Sequence, residues 1–219
     1  MSASVKSWWE NGEQVKIFIG LILLLLAGPA LAEPEAQDVA KAESWLNQVK
    51  TLKARFLQVS PDGGSVEGTV SLWRPGRLRL DYDPPSPILL IADGSWLIYY
   101  DRQLDQTSYV DLDSSPAGIL VRSDVKLDSG DLKLVKIGHQ PGLLEITVTK
   151  RDDPGEGRIT LVFTEAPFQL RQWRVVDPEG KTTTVSLYDT RTGVELDKKQ
   201  FEFHDPHNTG QPDLSGKGK

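Results

Sequence analysis

Two periods of hydrophobicity divide the chain. Between Asp38 and Val49 the apolar residues Val39, Ala42, Trp45, Leu46 and Val49 recur at spacings of three and four, which is one face of a helix. From Leu52 onward the period is two. Leu52–Val59 and Val66–Trp73 flank a Pro61-Asp62-Gly63-Gly64 turn. Leu78, Leu80 and Tyr82 then alternate with Arg77, Arg79 and Asp81, the pattern of a half-buried strand. Ile88–Ala92, Trp96–Tyr100 and Thr107–Leu112 follow, the first two joined at Asp93-Gly94, a hairpin signal.

The stretch Ser114–Arg122 interrupts the strands. Ser-Ser-Pro reads as a helix start with Pro116 in the first turn. Ile119, Leu120 and Val121 are consecutive, so a short helix is not expected to bury all three on one narrow stripe. Alternation resumes in 132–137, 144–148, 159–163, Phe168–Val176 and Thr182–Tyr188, and Phe201/Phe203 suggest a last short strand. Regular hairpin spacing of about eleven strands, with no βαβ alternation, predicts a mainly β chain with two or three short helices. Its antiparallel sheet is expected to curl into a barrel. Ile88–Ile91 and Trp96–Tyr99 are apolar on both faces and therefore need a second cover, either packed helices or a lined cavity.

Composition adjusts this picture at the N-terminus. Ile17–Ala27 is an uncharged apolar run preceded by Lys6 and Lys16 and followed by Pro29 and Ala30-Leu31-Ala32. A basic region, a short apolar core and a small-x-small exit form an export signal. The run is shorter than the ~20 residues that span a bilayer comfortably. Residues 1–32 are therefore expected to be removed, with a retained anchor as the alternative. Lys6, Glu10, Glu13 and Lys16 cancel, so the net charge of −6 survives cleavage. An exported chain without Cys suits a bacterial periplasm. A net-negative chain is a poor partner for nucleic acid and for anionic lipid.

Chemistry is sparse. No Ser lies in a G-x-S-x-G setting and no phosphate-binding glycine loop is present. His139 sits in a turn sequence. His204, Asp205 and His207 could ligate a metal, but they fall at the start of the polar 206–219 segment, which is expected to be a flexible tail. Asp152-Asp153 and Asp81/Asp83 read as solvated turn and strand-end carboxylates. No catalytic residue, metal or cofactor is expected.

An ordered set of short motifs remains. It runs from Phe56-Leu57-Gln58 through Leu72-Trp73-Arg74-Pro75-Gly76-Arg77, Asp81-Tyr82, Pro84/Pro85 and Ala92-Asp93-Gly94 to Tyr100-Asp101. Ser115-Pro116-Ala117, Val176-Asp177-Pro178-Glu179-Gly180 and Phe201-Glu202-Phe203 continue it. Over residues 36–206 the chain resembles the periplasmic lipoprotein-carrier family, LolA. The resemblance implies an unclosed antiparallel β-barrel, covered by a helical lid, around a hydrophobic cavity. It implies a monomeric chaperone that takes triacylated lipoproteins from an inner-membrane ABC transporter to an outer-membrane receptor of the LolB kind. Through the family's R-P step, Arg74 is implied as the lid gate, against a plain strand-end Arg. Trp45, Leu46, Ile119 and Leu120 would form the apolar side of the lid. Leu72, Leu80, Tyr82, Leu90, Trp96 and Ile98 are expected to line the cavity. With zero Cys, a lipid-anchored receptor is disfavoured relative to a free carrier. After Pro206 the chain reads His207-Asn208-Thr209-Gly210, so an extra C-terminal strand found in some members is not expected. A lipid- or lipoprotein-sensing domain of the same fold, in envelope stress signalling, is the alternative.

Overall fold

The computed structural model describes residues 34–206. The expected export signal and the tail beyond Pro206, His207 included, lie outside them. One helix, α1 (Pro34–Gln48), precedes eleven strands. These are β1 (Thr51–Val59), β2 (Ser65–Trp73), β3 (Arg77–Tyr82), β4 (Ile88–Asp93), β5 (Trp96–Asp101) and β6 (Gln106–Asp111). After a 3-10 turn at Pro116–Val121 come β7 (Leu132–Gln140), β8 (Leu143–Lys150), β9 (Arg158–Glu165), β10 (Phe168–Val176) and β11 (Thr182–Thr192).

All eleven strands join one sheet in the order β6-β5-β4-β3-β2-β1-β11-β10-β9-β8-β7. Every neighbour is antiparallel, and only the β1–β11 pair joins strands distant in sequence. The edges β6 and β7 do not pair, so the barrel stays unclosed.

Register decides which residues face inward. Ala54 opposes Val70, Val70 opposes Leu80 and Leu80 opposes Leu90, so these four share one face. On that face lie Leu52, Phe56, Leu72 and Leu78, and from the other half of the sheet Ile146, Leu161 and Val185 join the same buried cluster. Phe56 stands directly over Gly68, its cross-strand partner, and meets Tyr82 edge-on at 5.2 Å. A Cβ on Gly68 would lie 2.6 Å from the Phe56 ring, so the aromatic occupies the room that the glycine leaves.

The opposite face of β3–β6 is also apolar. Leu89, Ile91 and Ile98 are buried on it, in register with Arg79. Its cover is neither helix α1 nor a cavity. A 3-10 turn at Lys198–Phe201 and the extended residues after it pack there. Phe201 meets Trp73 edge-on at 6.2 Å, Phe203 tilts against Tyr100 at 5.4 Å, and the Arg79 Nη1 donates to Gln200 O at 2.7 Å. Tyr109 Oη donates to the Asp205 carboxylate at 2.9 Å. The strand expected at Phe201/Phe203 is therefore a strap. Its alternate side chains grip a sheet face instead of entering the ladder.

Candidate functional site

The lid begins in local sequence. Ser115 caps the Pro116–Val121 turn by accepting from Ala117 N, with Pro116 in the first turn. Ser114 Oγ donates to Asp111 O at 2.7 Å. Gly118 is buried so tightly that a Cβ there would lie 2.1 Å from Leu112 O. That close approach brings the turn onto the end of the sheet. Ile119, Leu120 and Val121 are all buried, at 4%, 1% and 2% exposure. They are not buried along one narrow stripe: all three are covered because the turn is enclosed on more than one side. Gly76 N, from the β2–β3 turn, donates to Val121 O at 2.7 Å. Ile119, Leu120 and Val121 all belong to the interior cluster.

The lid continues into residues 122–127 and is fastened to α1. Asn47 donates through Nδ2 to Val125 O at 3.1 Å and accepts from Val125 N at 2.7 Å. It pairs with that residue as a strand neighbour would. One turn earlier, Glu43 Oε1 accepts from Leu127 N at 2.7 Å. Val125 and Leu127 are fully buried between these anchors. Arg122 clasps Asp131 through two hydrogen bonds of 2.8 and 2.6 Å, which hold the Asp131 carboxyl below its ordinary range. On the helix Ala42 and Leu46 turn inward, as does Val49 just past its end, and Trp45 meets Phe163 edge-on at 5.9 Å.

Arg74 joins sheet to lid. Alternation from Val70 and Leu72 carries its side chain onto the inner face, and the residue is only 5% exposed. Its Nε donates to Leu120 O at 2.8 Å, and its backbone N donates to Lys50 O at 2.8 Å. Burial pushes its pKa down to about 10, so it remains a cation at neutral pH. At the far end of the same face, burial pushes the Tyr82 phenol up to about 12, and its hydroxyl donates to Gln58 Oε1 at 2.8 Å.

Most of the sequence-derived site residues meet here. Leu46, Leu72, Leu80, Ile119 and Leu120 share one buried cluster, with Trp45, Tyr82 and Leu90 packed partly buried against it. Trp96 and Ile98 do not. Ile98 opposes Ile91, and Ile91 opposes Arg79, so both residues belong to the outer face beneath the strap. The structure adds Asn47, Glu43, Val125 and Leu127. The Val125-Lys126-Leu127 alternation was a usable signal for the buried pair, whereas nothing in a helical Asn marks it as a backbone partner. A cleft of about 480 Å³ outside the lid, ringed by Asp113, Arg122, Asp124 and Asp131, is open and charged, unlike the interior. Of the potential metal ligands, His204 is exposed and Asp205 accepts from Tyr109. Asp81 and Asp83, read as solvated, are half exposed and also pair with Arg79 and Arg55 on the outer face.

Similarity agrees with this geometry. The family described as outer membrane lipoprotein carrier protein LolA matches residues 47–204. A relative from Methylococcus capsulatus, named an outer-membrane lipoprotein carrier protein, is 27% identical over 195 residues, 85% of this chain and 92% of its own. One of the same name from Azotobacter vinelandii is 29% identical over 203 residues, 85% of this chain and 95% of its own. A solved LolA superfamily protein from Nitrosomonas europaea covers 77% of this chain and 97% of its own at 11% identity, with a TM-score of 0.44. The match spans both the sheet and the lid, and the chain belongs to the outer membrane lipoprotein carrier protein LolA family.

Proposed function

We propose that this chain is a periplasmic carrier, not an enzyme, that shelters the acyl chains of lipoproteins between sheet and lid. It takes them from an inner-membrane ABC transporter and hands them to an outer-membrane receptor. The observation that carries this reading is the apolar seam of Leu46, Leu72, Ile119 and Leu120, closed over the sheet by a clasp at Arg74. Among the described residues, the side chains clustered in the interior are aliphatic and aromatic, as suits hydrocarbon.

Energetics explain why such a carrier needs a lid. Each buried CH₂ is worth about 0.8 kcal/mol. Three chains of roughly fifteen methylenes would then cost about 36 kcal/mol to expose, above the practical non-covalent ceiling of about 20 kcal/mol. Cargo of that kind cannot leave through water and must pass directly between apolar sites. For Ile119, Leu120 and Val121 to make room for chains, the lid must swing out and the Arg74–Leu120 bond must break. Re-forming it on release favours the empty, closed state. Arg74 is thus the gate of the proposed cycle.

Native mass spectrometry of the protein purified from a periplasmic extract tests the reading. Co-purifying triacylated lipoproteins are expected, and Ile119→Glu should abolish their loading. A protein that carries none when expressed beside abundant lipoprotein, or an Ile119→Glu variant that loads normally, would overturn it.

A further inference from the structure

Arg74 holds a donor that the closed fold leaves unused. Its Nη1 is buried and has no hydrogen-bond partner. The other such atom among the described residues is the Thr107 hydroxyl, which carries no charge. Buried polar atoms are nearly always paired, and a guanidinium offers five hydrogens in a fixed fork. Only the Nε hydrogen is committed to the lid, at Leu120 O. The Nη1 hydrogens are therefore free to serve a second acceptor whether that bond is made or broken. Among the described residues no carboxylate forms an ion pair with this charge.

The position of this donor narrows what it could hold. Arg74 follows the last residue of β2, on the inner face beyond Leu72, where the sheet meets the lid. Hydrocarbon enclosed by the apolar interior supplies no acceptor. An acyl chain supplies one at its root, where the carbonyl joins it to glycerol. Packed with its tail toward Leu80 and Tyr82, a chain would bring that root to the rim. We infer that Arg74 Nη1 donates to an ester carbonyl of the acylglyceryl group, so the residue that clasps the lid also reads how the chains are attached. This rests on the carrier reading above. The same type of acceptor occurs in a fatty-acid carboxylate, and the experiment separates the two.

The test measures equilibrium binding of three probes to the purified protein, by displacement of a fluorescent fatty-chain reporter. The first probe is a lipopeptide with an S-diacylglyceryl cysteine bearing two palmitoyl esters. The second is the same peptide with hexadecyl ethers, which keep the hydrocarbon and lose both carbonyls. The third is palmitate, compared with hexadecanol. The protein should prefer diester to diether by about tenfold or more, about 1.4 kcal/mol. In Arg74→Leu the ratio should fall close to one, and in Arg74→Lys part of it should survive. Thermal unfolding of each variant establishes that it folds, and the diester/diether ratio of the unaltered protein needs no variant. Equal binding of diester and diether, or a preference that persists in Arg74→Leu, overturns the inference while leaving the carrier reading intact. An Arg74-dependent preference for palmitate over hexadecanol that exceeds the diester/diether ratio assigns the site to a carboxylate and overturns the ester. Failure of every probe to bind refutes the carrier reading, and the inference with it.

Discussion

Asn47→Leu should open the lid without disturbing the sheet. The Asn side chain satisfies both the N–H and the C=O of Val125, at 2.7 and 3.1 Å, and Val125 is fully buried. Leucine has a similar size but can neither donate nor accept. Each lost bond, with its stranded backbone partner, costs about 1–2 kcal/mol, so the closed lid loses about 2–4 kcal/mol. Two readouts follow. Amide exchange at Val125 should speed up by about 30-fold to 1000-fold if exchange runs through local opening. The melting temperature should fall by roughly 5–15 °C, at about 2–4 °C per kcal/mol for a chain of this size. Asn47→Asp keeps the acceptor for Val125 N and loses only the donor, so it should fall between the two. Unchanged protection at Val125 in Asn47→Leu, alongside a normally folded sheet, would refute the view that this residue anchors the lid.

Three further outcomes are expected. Arg74→Leu should change folding stability by no more than about 1–2 kcal/mol, because two terms oppose each other. Burial that lowers the pKa from 12.5 to about 10 corresponds to about 3 kcal/mol against the charged side chain. The lost bond to Leu120 O is worth about 1.5–3 kcal/mol. Delivery of cargo to a purified receptor should nevertheless fall about tenfold or more, and normal delivery would remove the gate role. Phe201→Ala should destabilise by about 3–5 kcal/mol by emptying the space under the strap, read as a lower urea midpoint together with altered Trp73 fluorescence; a loss below about 1 kcal/mol would show that the strap is not a second core. The carboxyls of Asp83 and Asp131, held below their ordinary 3.8 by Arg55 and Arg122, contribute stability above that pH and lose it as pH falls through their lowered values. Melting curves between pH 5 and 2 should therefore drop, and Asp131→Asn should flatten the drop; an identical slope would sever the clasp from acid stability.

The legible parts of the fold were those with one apolar face. Leu78, Leu80 and Tyr82 alternate with charges, so β3 reads directly, and the hairpin order of the sheet follows from the turns. The information stops at β4. It is apolar from Ile88 to Ala92, so it passes no phase from β3 to β5, and that is why the sequence expectation misses that Trp96 and Ile98 lie on the outer face. The need for a second cover was visible, but its identity was not, because alternation at Phe201 and Phe203 fits any extended chain and says nothing about pairing. Arg74 was reached through a resemblance, since a lone Arg before Pro carries no local sign of burial. Asn47 and Glu43 escaped notice because their partners are backbone groups 78 and 84 residues away.

The unpaired edges of the sheet set how much the interior can hold. A closed barrel fixes its girth through a continuous ring of hydrogen bonds, so its lumen grows only by breaking them. Between β6 and β7 this ring has a gap. Widening it asks for changes in twist and curvature, which sheets accommodate readily, and leaves every ladder intact. Capacity is then an elastic property. Under the proposed carrier function, chains of different length and number would be lodged by one sequence, with the aliphatic lid conforming to whatever the sheet has admitted.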